Sequence, residues 1–141
     1  MKVHLYYIGK PRDSHLNAIA DEFVKRTTRY IKCEMREIHA GRFDPWDRHP
    51  NARKVLLDPL GNAATSEEFS KIVGTAEAEA RDLIFVVGGA DGLPPSWRSR
   101  TTDSALLSLS KMTFPHELAR AMLAEQLYRA VTILRGHPYP R

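Results

Sequence analysis

Five consecutive apolar residues, Leu83-Ile84-Phe85-Val86-Val87, lie between Asp82 and a pair of glycines. The run is too short for a helix, and a membrane span would need about 20 apolar residues. Continuous rather than alternating apolar residues are typical of a parallel strand that is covered on both faces. The run therefore predicts the central strand of a parallel sheet.

Strands and helices are predicted to alternate along the rest of the chain. The remaining strands are expected at residues 3–8, 33–39, 55–57 and 105–109. Helices are expected from an N-cap at Ser14 to about Arg29, from Ser66 to about Ala80, from Pro94 over a short stretch, and from Pro115 to about Leu134. Residues 40–53 are expected to form a loop, and Asp58-Pro59 is expected to end the third strand. This alternation predicts a single α/β domain over residues 1–141, built on a parallel sheet.

Ligands of parallel sheets bind beyond the carboxyl ends of the strands. Three segments are predicted to meet there: Leu57-Asp58, Gly88 to Gly92, and Ser110 to Pro115. The glycine-rich segment matches neither a dinucleotide fingerprint nor a phosphate-binding P-loop. It is consistent either with a tight strand-to-helix turn or with close backbone approach to a ligand.

The final helix is apolar around most of its circumference, because alanines widen the face formed by Leu118, Met122, Leu123, Leu127, Val131 and Leu134. Such a helix is buried from more than one side. It is therefore either a central core helix of a monomer or part of a homodimer interface. Arg120 and Arg129 interrupt the face, and Arg129 follows Glu125 by four residues, which suits either a surface ion pair or a residue that holds an anionic substrate.

The net charge of +4 is confined to the last third, since residues 93–141 hold seven basic and three acidic side chains. A localised basic surface favours a polyanion such as nucleic acid, although +4 is also ordinary for a globular domain. The tail after the helix, Arg135-Gly136-His137-Pro138-Tyr139-Pro140-Arg141, is either a frayed terminus or a segment that stacks on a base and contacts phosphates.

The single cysteine, Cys33, excludes an internal disulfide and a cysteine-rich zinc module. The histidines lack ligand spacing, so no metal site is expected. With no apolar segment long enough for a membrane span and no secretory signal, a cytoplasmic protein is expected.

Four motifs in a fixed order resemble the ribosomal RNA large subunit methyltransferase H family, which belongs to the SPOUT class. They are Gly88-Gly89-Ala90-Asp91-Gly92-Leu93, the segment 107–116, Glu125-Gln126-Leu127-Tyr128-Arg129-Ala130, and His137-Pro138-Tyr139. The resemblance covers essentially the whole chain, since Met1 to Gly9 and Leu56-Leu57-Asp58 also fit.

The resemblance implies a homodimer with a C-terminal trefoil knot, with the knot and cofactor site in about residues 83–141. It implies methyl transfer from S-adenosylmethionine to N3 of pseudouridine 1915 of 23S rRNA, on the assembled ribosome. The residues that match the family's cofactor site are Leu57, Gly88, Leu109, Ser110, Lys111, Met112, Thr113 and Phe114. Arg129, His137 and Tyr139 are the candidate catalytic residues, with the role of positioning the uracil ring.

The tail departs from the family pattern. Relatives commonly end in Tyr-His-Lys/Arg, whereas Pro140 and Arg141 follow Tyr139 here. A knotted dimer that binds the ribosome or RNA without catalysis is therefore the alternative function. An unrelated small nucleotide-binding enzyme is disfavoured by the absent fingerprints.

Overall fold

The computed structural model describes residues 1–139, in which five parallel strands form one sheet of order β2-β1-β4-β3-β5. The strands are β1 (Lys2–Ile8), β2 (Lys32–Ile38), β3 (Arg53–Ala63), β4 (Leu83–Val87) and β5 (Ser104–Ser108). The helices are α1 (Ser14–Thr27), α2 (Pro45–Arg48), α3 (Ser66–Ala78), α4 (Pro95–Arg98) and α5 (His116–Leu134). The predicted single-sheet α/β architecture is confirmed.

β4 occupies the centre of the sheet, as its apolar sequence predicts. It pairs in parallel with β1 on one side and with β3 on the other. Each of its five residues is at most 3% exposed. Both faces of this strand are therefore covered.

The two faces of the sheet carry different layers. The long helices α1, α3 and α5 pack on one face, against a core that includes Val3, Leu5, Phe85 and Leu127. The other face is covered by the loop after β2, by α2 and by α4, which places Trp97 over Ile84 and Val86 in a second core.

Two helix starts differ from the prediction. Asp13, rather than Ser14, caps α1, because its carboxylate accepts hydrogen bonds from the N–H groups of His15 and Leu16 at 3.0 Å. The segment expected to be a loop contains the one-turn helix α2, which Asp44 caps in the same way. In both cases an aspartate, which is common in turns, accepts hydrogen bonds from the free N–H groups at the start of a helix.

β3 does not end at Asp58-Pro59, so that prediction was wrong. The strand pairs with Leu107 of β5 at Leu57, bulges outward, and pairs with Leu107 again at Asn62. A bulge accommodates proline because the bulged residues make no ladder hydrogen bonds. β3 consequently continues to Ala63 and brings its bulge to the carboxyl edge of the sheet.

α5 lies between α1 and α3 on the sheet. Leu123, Leu127 and Val131 are fully buried in a single chain. Packing within a single chain therefore accounts for part of the apolar circumference of α5. Leu118 and Met122 stay half-buried, and Ile133 is 40% exposed. Among residues 1–139, no helix is long and apolar enough to cross a bilayer.

Candidate functional site

A cavity of about 400 Å³ opens at the carboxyl edge of the sheet, between the ends of β3, β4 and β5 and the start of α5. The three segments expected to meet at this edge all contribute to it. The predicted cofactor-binding residues that line it are Leu57, Gly88, Leu109, Ser110, Met112, Thr113 and Phe114. Lys111 is exposed and is not among the lining residues.

Some lining residues were not expected from the sequence. Leu93 closes the cavity from the segment before α4, and His116 and Ala119 reach it from the first turn of α5. The sequence could have indicated His116 and Ala119, because a helix that begins directly after a cavity-lining loop places its first turn at the same edge.

The turn after β4 is held in a compact shape by its own backbone. The Gly92 N–H donates a hydrogen bond to the Gly89 carbonyl at 2.9 Å, and Gly92 has φ +79°. A Cβ on Gly88 would lie 2.6 Å from the carbonyl carbon of Gly92. Gly88 is therefore required by the turn itself, and any side chain there would displace a wall of the cavity.

Asp58 presents a buried carboxylate at the cavity wall, with 7% of the residue exposed. Its oxygens accept hydrogen bonds from the Arg98 guanidinium and, at 2.8 Å, from the Leu60 N–H. This ion pair links the β3 bulge to α4. The positive charge of Arg98 offsets that of the carboxylate, and the pair holds the bulge side of the cavity wall in place.

Serine side chains shape the loop after β5. The Ser108 hydroxyl donates to the Ser110 carbonyl at 2.7 Å, and the Ser110 hydroxyl accepts from the Met112 N–H at 3.0 Å. These two hydrogen bonds within the loop support its curvature. Its apolar members, Leu109 and Phe114, face the cavity together with Leu57.

A second cavity of about 290 Å³ lies beside the first, between the start of α3 and the middle of α5. The two cavities share Leu107, Ser108 and Leu109. The second is also lined by Glu125 and Gln126 of α5. The end of β5 thus forms the wall between two adjoining spaces.

Glu125 brings two of the three candidate catalytic residues together. Its Oε2 accepts hydrogen bonds from Nη2 of Arg129 and from the Tyr139 hydroxyl, both at 2.7 Å. Burial and the hydrogen bond to Glu125 raise the pKa of Tyr139 to about 12. Tyr139 is therefore a protonated donor at neutral pH and not a general base.

His137 stands apart from this group. It is exposed, its Nδ1 accepts a hydrogen bond from the Tyr139 backbone N–H at 3.2 Å, and its ring centre is 6.3 Å from that of Tyr30. The structure thus places Arg129 and Tyr139 on Glu125 but not His137. The tail departure at Pro140 lies outside the described residues.

Arg120 is buried in the core, away from both cavities. Only 2% of the residue is exposed, its guanidinium carbon lies 3.7 Å from the centre of the Tyr7 ring, and Nη2 donates to the Asn17 side chain. It therefore joins α5 to α1 and β1 without reaching either cavity. Within residues 1–139, no group of three or more His, Cys, Asp or Glu side chains is arranged to hold a metal ion.

The sequence and the fold both match known proteins. The family model described as "Predicted SPOUT methyltransferase" matches residues 1–140. The chain is 57% identical over 141 residues to the ribosomal RNA large subunit methyltransferase H of Solibacter usitatus, and the match covers 100% of both chains.

Solved structures with little sequence identity share the fold. A probable methylase family protein from Haemophilus influenzae aligns with a TM-score of 0.62 at 9% identity, covering 99% of this chain and 70% of that one. An AdoMet-bound rRNA methyltransferase from Sinorhizobium meliloti aligns with a TM-score of 0.52 at 10% identity, covering 91% of this chain and 56% of that one.

Proposed function

The chain belongs to the SPOUT methyltransferase family, and from that premise we propose that it is an rRNA methyltransferase that uses S-adenosylmethionine. The target proposed is N3 of pseudouridine 1915 in 23S rRNA, on the assembled ribosome. The observation that carries this proposal is the cavity at the carboxyl edge of β3, β4 and β5, where the predicted segments meet. The full-length similarity to an rRNA methyltransferase supports the substrate class.

The cavity fits S-adenosylmethionine in size and chemistry. Its volume of about 400 Å³ falls in the range of roughly 300–1,000 Å³ typical of small-molecule sites. Leu57, Leu109 and Phe114 offer apolar walls for an adenine ring, and the backbone of the 108–114 loop offers hydrogen-bonding groups for its edge. When bound there, S-adenosylmethionine supplies a methyl group on a sulfonium sulfur.

The chain's own contribution is to position the reactants. Methyl transfer needs the nucleophilic nitrogen held in line with the methyl group and its N–H proton released. Leu109 lies between the cofactor cavity and the second cavity, so a base held in the second cavity would meet the methyl group across this wall. The released proton passes to solvent in this scheme, because Tyr139 is itself protonated.

The group formed by Glu125, Arg129 and Tyr139 is proposed to hold the substrate base. Glu125 lines the second cavity and fixes both donors by hydrogen bonds of 2.7 Å. Arg129 offers the N–H groups that Glu125 does not engage to the carbonyl oxygens of a uracil ring, whereas the Tyr139 hydroxyl, whose single proton goes to Glu125, offers its oxygen to a ring N–H. His137 is proposed to join them when RNA binds, since its ring is exposed and already bonded to the Tyr139 backbone N–H.

Assembly and location complete the proposal. We propose a homodimer in which the half-buried side chains Leu118 and Met122 of α5 contact a partner. The trefoil knot and the cofactor site are proposed to lie in about residues 83–141 of the single domain 1–141. The compartment proposed is the cytoplasm, where ribosomes are available.

The test is transfer of radiolabelled methyl from S-adenosylmethionine to ribosomes that lack the modification. Primer extension then locates the modified nucleotide. We expect label in 23S rRNA and a stop at pseudouridine 1915. Free 23S rRNA serves as the comparison substrate and is expected to accept much less label, because this small chain relies on the shape of the assembled ribosome.

Two results would contradict the proposal. Label at another nucleotide would overturn the assigned target but retain the methyltransferase activity. Absence of label, with calorimetric binding of S-adenosylmethionine intact, would favour a ribosome-binding role without catalysis.

A further inference from the structure

Arginine and aromatic side chains alternate on the face of the sheet opposite to α1, α3 and α5. We name this set the arginine–aromatic surface, and it consists of Arg36, Arg42, Phe43, Trp46, Arg48 and Arg100. The guanidinium carbons of Arg36 and Arg48 lie 5.3 Å and 5.8 Å from the centre of the Phe43 ring. That of Arg100 lies 4.4 Å from the centre of the Trp46 ring. The surface is separate from both cavities described above.

Several charges on this surface have no carboxylate partner. Arg36, Arg42 and Arg48 are exposed, and in the part of the chain that the structure describes none of them has a carboxylate oxygen within 4.0 Å. Arg100 is paired with Asp44 at 2.9 Å. The surface therefore presents three guanidinium groups without a carboxylate partner, two of which lie over the half-buried ring of Phe43.

A groove of about 490 Å³ lies beside two of these groups. Arg42, Phe43 and Arg48 line it, together with Asp44 and Asp47. One oxygen of Asp44 caps α2 and the other accepts from Arg100, so this carboxylate is already engaged. The exposed Asp47 offsets one of the two lining arginines, which leaves one positive charge in the groove.

The aromatic members are held in place from below. Phe43 packs edge-on against Tyr6 with ring centres 4.9 Å apart, and the Tyr6 hydroxyl hydrogen-bonds to Nε2 of His49 at 2.8 Å. The Trp46 indole N–H donates to the Ser104 hydroxyl at 2.9 Å. The rings are thus fixed before any partner binds, which lowers the entropic cost of binding.

We propose that the arginine–aromatic surface binds unpaired nucleotides of the rRNA substrate, outside the site of methyl transfer. This inference rests on the proposed rRNA methyltransferase function. Unpaired bases stack on aromatic rings and on guanidinium planes, and the same arginines contact phosphates. Three unpaired guanidinium groups beside fixed rings provide both kinds of contact, whereas the cofactor cavity offers no unpaired arginine.

The double variant Arg36→Ala/Arg48→Ala tests this surface, because both side chains are exposed and neither lines a cavity of the proposed active site. We expect the KM for ribosomes to rise at least tenfold, with kcat and the affinity for S-adenosylmethionine within twofold of wild type. Loss of two cationic contacts is also expected to flatten the salt dependence of binding. Arg29→Ala, an exposed arginine at the end of α1, is the matched control and is expected to leave the KM unchanged.

A second double variant separates the contribution of charge to RNA binding from that of stacking. Arg36→Lys/Arg48→Lys keeps both charges but removes the planar groups. Stacking predicts that this variant recovers only part of the lost binding, and full recovery would overturn the stacking contact. Thermal unfolding of each variant is measured in parallel, and a lowered Tm with an unchanged KM would overturn the proposal in favour of a packing role.

A direct binding measurement keeps the outcome separate from that of the proposed function. Fluorescence anisotropy with a labelled oligouridine of about 12 nucleotides needs no turnover. Weaker binding by Arg36→Ala/Arg48→Ala than by Arg29→Ala supports the surface even if wild-type protein methylates no ribosomes. Equal binding by the two variants, with wild-type turnover intact, overturns the surface and leaves the methyltransferase proposal standing.

Discussion

At the scale of single residues, one carboxylate organises the candidate substrate site. Glu125 is half-buried and accepts hydrogen bonds from both Arg129 and Tyr139. A surface ion pair on a helix contributes only a few tenths of a kcal/mol, but this carboxylate also holds the tail against α5 through Tyr139. The sequence offers the pair either as a surface contact or as part of a substrate site, and the contact with Tyr139 favours the second interpretation.

Removing either donor is expected to lower turnover without weakening cofactor binding. Arg129→Ala and Tyr139→Phe each delete a group next to the second cavity and leave the cofactor cavity untouched. We expect a loss of up to about 100-fold in kcat, in line with misplacement of a reacting group. Steady-state kinetics on ribosomes and calorimetry with S-adenosylmethionine measure the two effects.

Arg81→Ala is the matched control for this pair. Arg81 pairs with Asp103 at 2.9 Å, its side chain is 26% exposed like that of Arg129, and it precedes β4 at the opposite edge of the sheet. Turnover of this variant is expected to equal that of wild type. Wild-type kcat in both Arg129→Ala and Tyr139→Phe would remove these residues from the substrate site.

Glu117 predicts a pH dependence of stability. Its carboxylate accepts the backbone N–H groups of Arg12 at 2.6 Å and of Asp13 at 2.8 Å, which hold the pKa of Glu117 below its usual range. Since the folded state binds the proton less tightly than the unfolded chain, this stabilisation is full above the unfolded pKa and is lost as the pH falls through the folded value. Glu117→Gln is expected to lower the free energy of unfolding by about 1–2 kcal/mol at pH 7.

Urea unfolding at pH 7 and pH 3 checks this expectation. The difference between wild type and Glu117→Gln is expected to shrink at pH 3, because the wild-type carboxylate is then protonated as well. Glu67→Gln, an exposed glutamate in the first turn of α3, is the control. A difference that stays constant between the two pH values would show that the carboxylate charge does not stabilise this contact.

At the scale of elements, the extension of β3 shapes the site more than any helix does. The bulge at 58–61 lets β3 pair with Leu107 at two positions, Leu57 and Asn62. At this edge β3 supplies Leu57 to the cavity wall and Asp58 to the ion pair with Arg98. A strand that ended at Asp58, as the sequence suggests, would leave Ser108 of β5 without its partner Ala63.

Gly61 is expected to be intolerant of any side chain. A Cβ there would lie 2.6 Å from the carbonyl carbon of Leu106 and 2.8 Å from the Leu107 nitrogen, both of which belong to the backbone of β5. Gly61→Ala is therefore expected to lower the free energy of unfolding by at least about 2 kcal/mol, measured by urea denaturation. Gly41→Ala meets nothing within 4 Å and is expected to stay close to wild type. Equal stability of the two variants would mean that the bulge moves freely.

Local sequence patterns predicted the sheet edge and every strand and helix except α2, but not the bulge of β3. The apolar run at 83–87 suffices to place β4 centrally, because only a doubly covered strand tolerates it. The extension of β3 depends on the close approach of Gly61 to a strand more than 40 positions later, which no local pattern encodes. The same holds for Tyr139, whose hydrogen bond to Glu125 is set by how the tail folds back on α5.

At the scale of the whole molecule, charge and cavities are distributed over different faces. The excess positive charge of the sequence lies in residues 93–141, yet three of the four arginines on the arginine–aromatic surface come from β2, α2 and their connecting loop. Folding therefore gathers basic side chains from distant segments.

The exposed outer side of α5 predicts self-association. Leu118 and Met122 are half-buried and Ile133 is 40% exposed in a single chain. Covering such side chains contributes about 25 cal/mol per Å² of apolar surface removed from water, and a symmetric dimer buries each of them twice.

Light scattering is therefore expected to give about twice the chain mass of 16.0 kDa. Ile133→Glu is expected to weaken the dimer, because the carboxylate would have to lose its water, whereas Lys71→Glu on the exposed side of α3 is expected to leave it intact. A mass of one chain at micromolar concentration would show that α5 is already sufficiently covered by α1, α3 and the sheet.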